Sequence, residues 1–182
     1  MDQKKLKIGI ILGSTRKGRV SPQVGSWVKK LADQRNDAEY ELIDIKDFNL
    51  PLLGESSEKE GILRWREKLD ALDGFIFIVP EYNHGMPGAL KNAIDHAREP
   101  WFNKAAGLVS YGNAGGTRSA EQLRSVLAEQ YIATIRTHVV LSTFTDFEKH
   151  SIFKPKEHHA EQLNTLFEQL LSWANALKPL RA

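Results

Sequence analysis

The chain has 182 residues, 41% hydrophobic and 26% charged, which suits a single water-soluble domain over residues 1–182 that buries enough surface to fold without staples. A net charge of +2 is too mild to argue for nucleic acid, and the lack of cysteine excludes disulfides, thiolate catalysis and cysteine-bound metals. No apolar run approaches the roughly 20 residues of a membrane span, and the N-terminal apolar segment is too short for a secretory signal, so a cytoplasmic enzyme or carrier is expected.

The first element is KIGIIL (7–12), a continuous apolar run that reads as a strand buried on both faces. Ser21-Pro22 looks like an N-cap followed by proline at the first helical position, and Val24, Trp27, Val28 and Leu31 then form one apolar helix stripe. YELIDI (40–45) predicts a shorter, alternating strand. A loop from Asn49 to Ser56 leads to a capping-box pattern, Ser57 with Glu60, opening a helix to about Leu72.

GFIFIVP (74–80) is a second buried strand, stopped by Pro80. Pro87 can open a helix with Leu90, Ala93, Ile94 and Ala97 on one side. AAGLVSY (105–111) is a third buried strand. It is followed by a glycine loop and a helix with Ala120, Leu123, Leu127 and Tyr131. THVVLSTF (137–144) predicts the last strand, and residues 157–177 the last helix. The stretch 145–156 reads as an irregular surface loop, His158-His159 as a solvated helix start, and Trp101-Phe102 as a loop whose apolar area packs on the core rather than on a second subunit.

Strands and helices thus alternate five times, which predicts a parallel sheet covered on both faces. The doubly wound order 2-1-3-4-5 follows, with a ligand crevice beyond the carboxyl ends of strands 1 and 3. That rule selects the loops at 13–21 and 81–86, with 112–118 beside them. The first combines Gly13 and Gly18, the hydroxyls of Ser14, Thr15 and Ser21, the charges of Arg16, Lys17 and Arg19, and a helix N-terminus. This combination suits an anion, above all a phosphate. GSTRKGRV has the outline of a Walker A loop, but Arg19-Val20 replaces the required Lys-Ser/Thr, and the G-x-G-x-x-G dinucleotide fingerprint is absent. In the second loop Tyr82 offers a flat face and Asn83 a mixed donor and acceptor, suited to an aromatic ring with polar edges.

GSTR after the first strand, PEYN followed by PGALKNAID, and the glycine loop after the fourth strand resemble the NADPH-dependent FMN reductase family, whose relatives include azobenzene, quinone and chromate reductases. Many members show G-S-x-R-x-x-S; here two further residues separate Arg16 from Ser21. The resemblance implies a flavodoxin-like three-layer α/β/α sandwich, bound FMN, NADPH or NADH as reductant, and a homodimer or homotetramer. It also implies an oxidoreductase that reduces a quinone, azo compound, free flavin or metal oxyanion in a ping-pong cycle. Carried over by position, Ser14, Arg16 and Ser21, with the backbone of Pro22, Gln23 and Val24, would hold the FMN phosphate. Pro80, Tyr82 and Asn83 would line the isoalloxazine, with Glu81 steadying the loop. Ser110, Tyr111, Gly112, Gly115 and Gly116 would wrap its polar edge through backbone donors, suited to the negative charge that builds there on reduction. His84 could touch nicotinamide or acceptor, and Arg19, Lys17 or Arg118 the extra phosphate of NADPH. The flavin carries the chemistry, so no catalytic side chain and no metal ligand is expected. The alternatives are a flavodoxin-type electron carrier or a flavin-based redox sensor without a small-molecule substrate of its own; fold alone does not separate them.

Overall fold

A computed structural model describes residues 5–55 and 59–181. In chain order the elements are β1 (Lys7–Leu12), α1 (Ser21–Asp33), β2 (Glu39–Asp44), α2 (Lys59–Asp70), β3 (Gly74–Pro80), α3 (Gly88–Asp95), β4 (Lys104–Gly112), α4 (Thr117–Glu129), β5 (Ile132–Ser142), β6 (Phe147–Glu148), β7 (Ile152–Phe153) and α5 (Glu157–Leu177). The first five strands form one parallel sheet in the order β2-β1-β3-β4-β5, as expected from the alternation of strands and helices.

Strand side chains alternate between faces, and this splits the core in two. Ile8, Ile10, Ile76, Ile78 and Val109 pack under α1 and α5 with Val24, Val28, Leu163, Leu166 and Phe167. Phe75, Phe77, Val79 and Leu108 pack on the other face under α2, α3 and α4 with Trp65, Leu90, Ile94 and Leu123. Because both faces are covered, every residue of β3 and of β4 is buried. Trp101 lies wholly inside the second layer, its indole N–H donating to the Ile94 carbonyl at 3.1 Å, so this aromatic belongs to the core as expected.

Several expectations are corrected. Ser21 is not the N-cap of α1. Val20 holds that position without a side-chain bond, and the Ser21 hydroxyl instead faces the Tyr111 phenol at 2.6 Å. The apolar stripe of α4 ends at Leu127. Tyr131 adopts a left-handed φ of 53°, lies outside the helix and is 63% exposed, because a two-residue turn feeds the chain straight into β5. That strand consequently starts at Ile132, five residues earlier than its apolar run suggests. The Ser57–Glu60 capping pattern lies partly outside the described residues.

The stretch 145–156 is not irregular. Lys149 and His150, both left-handed (φ 50° and 56°), turn a small hairpin in which Phe147 pairs with Phe153. Two left-handed residues in succession match the twist of a two-stranded ribbon. The hairpin is tied down at both ends. Gln23 of α1 donates to the Ser151 carbonyl at 2.9 Å and accepts from the Phe153 amide at 3.0 Å. Buried Asp146 accepts from the Ser142 amide at 2.8 Å and lies 2.7 Å from Lys156 Nζ. His159 is not solvated either: it is 2% exposed and its Nδ1 accepts from the Lys156 amide at 3.1 Å. Burial, against the opposing pull of Asp146, lowers its pKa.

The packing of α5 on β4 depends on a close approach. A β-carbon on Gly107 would sit 2.7 Å from Leu166 Cδ2, so the leucine occupies the space that this glycine leaves. Leu166→Ala is expected to cost about 2–5 kcal/mol in chemical denaturation, the range for opening a cavity in a well-packed core.

Candidate active site

The carboxyl ends of β1, β3 and β4 point to one edge of the sheet, and three loops leave from there. The first begins where the Gly13 amide donates to the Ile78 carbonyl at 3.0 Å, extending the pairing of β1 with β3 by one rung. A β-carbon on Gly13 would lie 2.9 Å from that same carbonyl, so the position requires glycine. From there to the start of α1 the backbone runs free of the sheet. The amides of Thr15, Lys17, Gly18, Val20 and Ser21 have no backbone acceptor among the described residues. Unused amides at the positive end of a 13-residue helix are donors for an anion.

The hydroxyls and cations of this loop are arranged unevenly. Ser14 is fully buried, its Oγ 2.7 Å from the Tyr82 phenol, which links the first loop to the second. The Arg16 guanidinium lies 5.6 Å from the centre of the Tyr82 ring, without a carboxylate partner among the described residues. Arg19 turns inward to an ion pair with Asp44 at the end of β2, and its buried Nε–H has no acceptor among the described residues. Gln23 and Val24 stand apart: their amides bond the Val20 carbonyl, Gln23 holds the hairpin and Val24 is core.

The second loop is a tight turn. Tyr82 and Gly85 exchange both backbone bonds at 3.0 Å, and Asn83 and His84 between them have left-handed φ values of 49° and 67°. Both side chains are therefore thrown outward and exposed. Gln122 of α4 braces the turn by accepting from the Met86 amide at 3.2 Å. Pro80 ends β3, with its carbonyl accepting from Ser119 Oγ at 2.9 Å. Glu81 is 6% exposed at its side chain and faces the start of α4, where it accepts from the Arg118 amide at 3.2 Å and Nε at 2.7 Å. Burial alone would raise the Glu81 pKa; the Arg118 bonds outweigh it and hold the carboxyl below its ordinary value. Arg118 thus neutralises Glu81 while its side chain stays about half exposed at the wall of the cavity that the three loops enclose.

The third loop turns on two glycines. Gly115 and Gly116 have φ of 71° and 72°, and a β-carbon on Gly116 would lie 2.7 Å from both N and O of Tyr111. The Gly115 amide closes on the Gly112 carbonyl at 3.0 Å. Ser110 is buried behind the loop and lends its hydroxyl to the Gly115 carbonyl, so its side chain does not reach the cavity. Tyr111 is also largely buried, and burial pushes its phenol pKa up, keeping it neutral.

Together the three loops wall a cavity of about 410 Å³, with Arg16 and Gly18 on one side, Pro80 to His84 along its length, and Tyr111 to Asn113 opposite. Val20 and Arg118 also line it, and its remaining wall is Thr143, His150 and Ser151, residues that the sequence did not point to. The available signal was the aromatic-turn-aromatic pattern of 147–153. Such a cavity can take a flat molecule bearing an anionic tail. FMN fits the groups present: unused amides and an orphaned Arg19 N–H for a phosphate, the tyrosine turn for a ring, and bare glycine backbone for a polar edge.

Residues 6–146 match the family described as NADPH-dependent FMN reductase. An NAD(P)H-dependent FMN reductase of Schizosaccharomyces pombe is 36% identical over 129 residues, 66% of this chain and 64% of that one. An NAD(P)H:quinone oxidoreductase of Solanum tuberosum is 36% identical over 134 residues, 68% of each. An NADPH azoreductase of a Bacillus species is 33% identical over 142 residues, 75% of this chain and 76% of that one. Among solved structures, the flavoenzyme NAD(P)H:acceptor oxidoreductase FerB of Paracoccus denitrificans is similar in fold, with a TM-score of 0.75 at 22% identity over 94% of this chain and 98% of that one.

The Glu81 carboxyl pKa is lowered on folding, so its contribution to stability is complete above the ordinary carboxylate value of 4.5 and is lost as pH falls through the lowered one. Glu81→Gln is expected to cost about 1 kcal/mol at neutral pH, a figure held down by the exposure of Arg118. Denaturation curves should show the gap between the two proteins closing as the pH falls below 4.5.

Proposed function

Because the chain belongs to the NADPH-dependent FMN reductase family, we propose that it is an FMN-containing oxidoreductase that takes hydride from NADPH or NADH and reduces a small acceptor of the quinone, azo, free-flavin or metal-oxyanion type. The observation that carries this reading is the joining of an anion-receiving loop to a flat-walled cavity at the sheet's switch point. The chemistry FMN supplies when bound is acceptance of a hydride and delivery of electrons to a second molecule. What the chain contributes is placement and electrostatics.

Ser14, Arg16, the inward Arg19 side-chain N–H and the amides of Lys17, Gly18, Val20 and Ser21 would hold the phosphate. Tyr82 links the two halves of the site, since its phenol meets Ser14 while its turn lines the cavity. Pro80, Asn83 and the backbone of Gly112, Gly115 and Gly116 would bound the ring. Arg118 holds Glu81, and Glu81 holds the second loop against α4. The extra phosphate of NADPH would fall to Arg118, half-exposed at the cavity wall while paired with Glu81, and to the exposed Lys17, since Arg19 is turned inward to Asp44. His84, thrown outward at the cavity rim, would meet nicotinamide or acceptor. One open cavity serves two substrates in turn, which supports a ping-pong cycle.

The same reading has the whole chain acting as one FMN-binding domain in the cytoplasm, as a homodimer or homotetramer. No helix among the described residues is long and apolar enough to cross a membrane. Leu52 and Leu53, 63% and 60% exposed, supply apolar surface for subunit contact.

Anaerobic mixing of the purified yellow protein with NADPH, then NADH, tests the proposal through flavin absorbance. Rapid bleaching by either nucleotide is expected. Protein that takes up no FMN, or flavin that only a partner protein can reduce, would refute it. Arg16→Ala should weaken FMN binding by roughly 1.5–3 kcal/mol through loss of a charge-assisted contact and leave riboflavin, which has no phosphate, nearly unaffected. Titration of both flavins into wild type and variant separates the two.

A further inference from the structure

His138 of β5 is a partly buried titratable side chain to which the proposed reaction assigns no task. Its Nε2 lies 2.8 Å from Ser110 Oγ, and that hydroxyl in turn lies 2.5 Å from the Gly115 carbonyl. A hydroxyl has one hydrogen and a carbonyl has none. Ser110 therefore donates to Gly115 and accepts from His138, so the imidazole carries its hydrogen on Nε2. Burial first, and the Arg124 guanidinium second, bring the His138 pKa down to about 4, with Glu121 pulling the other way. At neutral pH the ring is an uncharged donor.

The consequence lies one peptide further on. A trans peptide holds its C=O and N–H in opposite directions, and the described residues contain no cis bond. With the Gly115 carbonyl drawn in to Ser110, the Gly116 N–H points away from Ser110. The Gly116 nitrogen has no backbone acceptor among the described residues, and a β-carbon on Gly112, a cavity residue, would come within 3.3 Å of it. A glycine–glycine peptide has little intrinsic preference between its two orientations. Side chains cannot supply one here, since a β-carbon on Gly115 would lie 2.1 Å from Val140 Cγ1. The Gly115 amide and the Gly116 carbonyl are held by Gly112 and Ala120, and the bond that holds the carbonyl of the peptide between them is the one from Ser110, backed by His138.

We propose that His138, acting through Ser110, is a positioning residue that keeps the Gly116 N–H turned toward the cavity and so sets how strongly the site prefers reduced over oxidised FMN. This rests on the FMN reading above. A fixed donor aimed where negative charge builds favours the charged form at little cost to the neutral one.

The test is a redox titration of the FMN-loaded protein alongside binding of oxidised FMN. His138→Leu removes the donor, His138→Gln restores an N–H at a similar reach, and Ser110→Ala breaks the chain one step later. Oxidised FMN should bind all three within about twofold of wild type. Reduced FMN should bind His138→Leu and Ser110→Ala about tenfold more weakly, a fall of about 30 mV for a two-electron couple, while His138→Gln keeps the wild-type potential. An unmoved potential in FMN-loaded Ser110→Ala overturns the inference, and Ser110→Ala decides alone should His138→Leu fail to fold. A His138→Gln protein shifted as far as His138→Leu also overturns it, since packing would then be the cause. Wild-type protein that holds no FMN overturns the FMN reading itself, a result distinguishable from both.

Discussion

The pairing of β1 with β3 joins two strands whose outgoing chains must part. Helix α1 packs on one face of the sheet and α3 on the other, so the loops after these neighbouring strands diverge as soon as they leave the last rung. A gap opens there because neither loop can cover it. The backbone of the first loop has left the sheet and not yet entered a helix, and several of its amides have no backbone acceptor among the described residues. Everything specific to the cavity is built on that divergence, which is a property of strand order and not of any side chain.

The side chains then divide into those that face the gap and those that hold its walls. Ser14 and Ser21 each meet a tyrosine phenol, and the two pairs tie the first loop to the second and to β4. Glu81 and Arg118 pin the second loop to α4, and Gln122 pins it again one turn further along. Of the basic residues gathered at this edge, Arg19 and Arg118 are paired with carboxylates and Arg16 has no such partner among the described residues. The positive character of the gap thus comes from Arg16, Lys17 and the helix end more than from the total number of cations.

Much of this was legible in the chain itself. The buried strands 7–12 and 74–80 and the last helix lie where their apolar patterns put them, because a strand covered on both faces and a helix covered on one leave unmistakable spacings. The loops flanking the switch point follow from strand order alone. Short elements fared worse. Two-residue strands such as β6 and β7 are too brief to show a period, and their hairpin is held by Gln23, more than 120 residues earlier in the chain. Ser21-Pro22 has the composition of a helix cap, yet the hydroxyl found a buried phenol that no local rule can foresee.

The sequence by itself determined the layering of the fold, the strand order and the edge of the sheet where a ligand belongs, since these depend on periodicity and on steric rules that act over a few neighbouring residues. Only the tertiary structure decided which polar groups remain available there. It paired Arg19 with Asp44 and Arg118 with Glu81, turned Ser110 inward and brought Thr143, His150 and Ser151 to the fourth wall. Hydrogen bonds and ion pairs are satisfied by whatever lies nearest in space, and that neighbour is known only once the chain has folded.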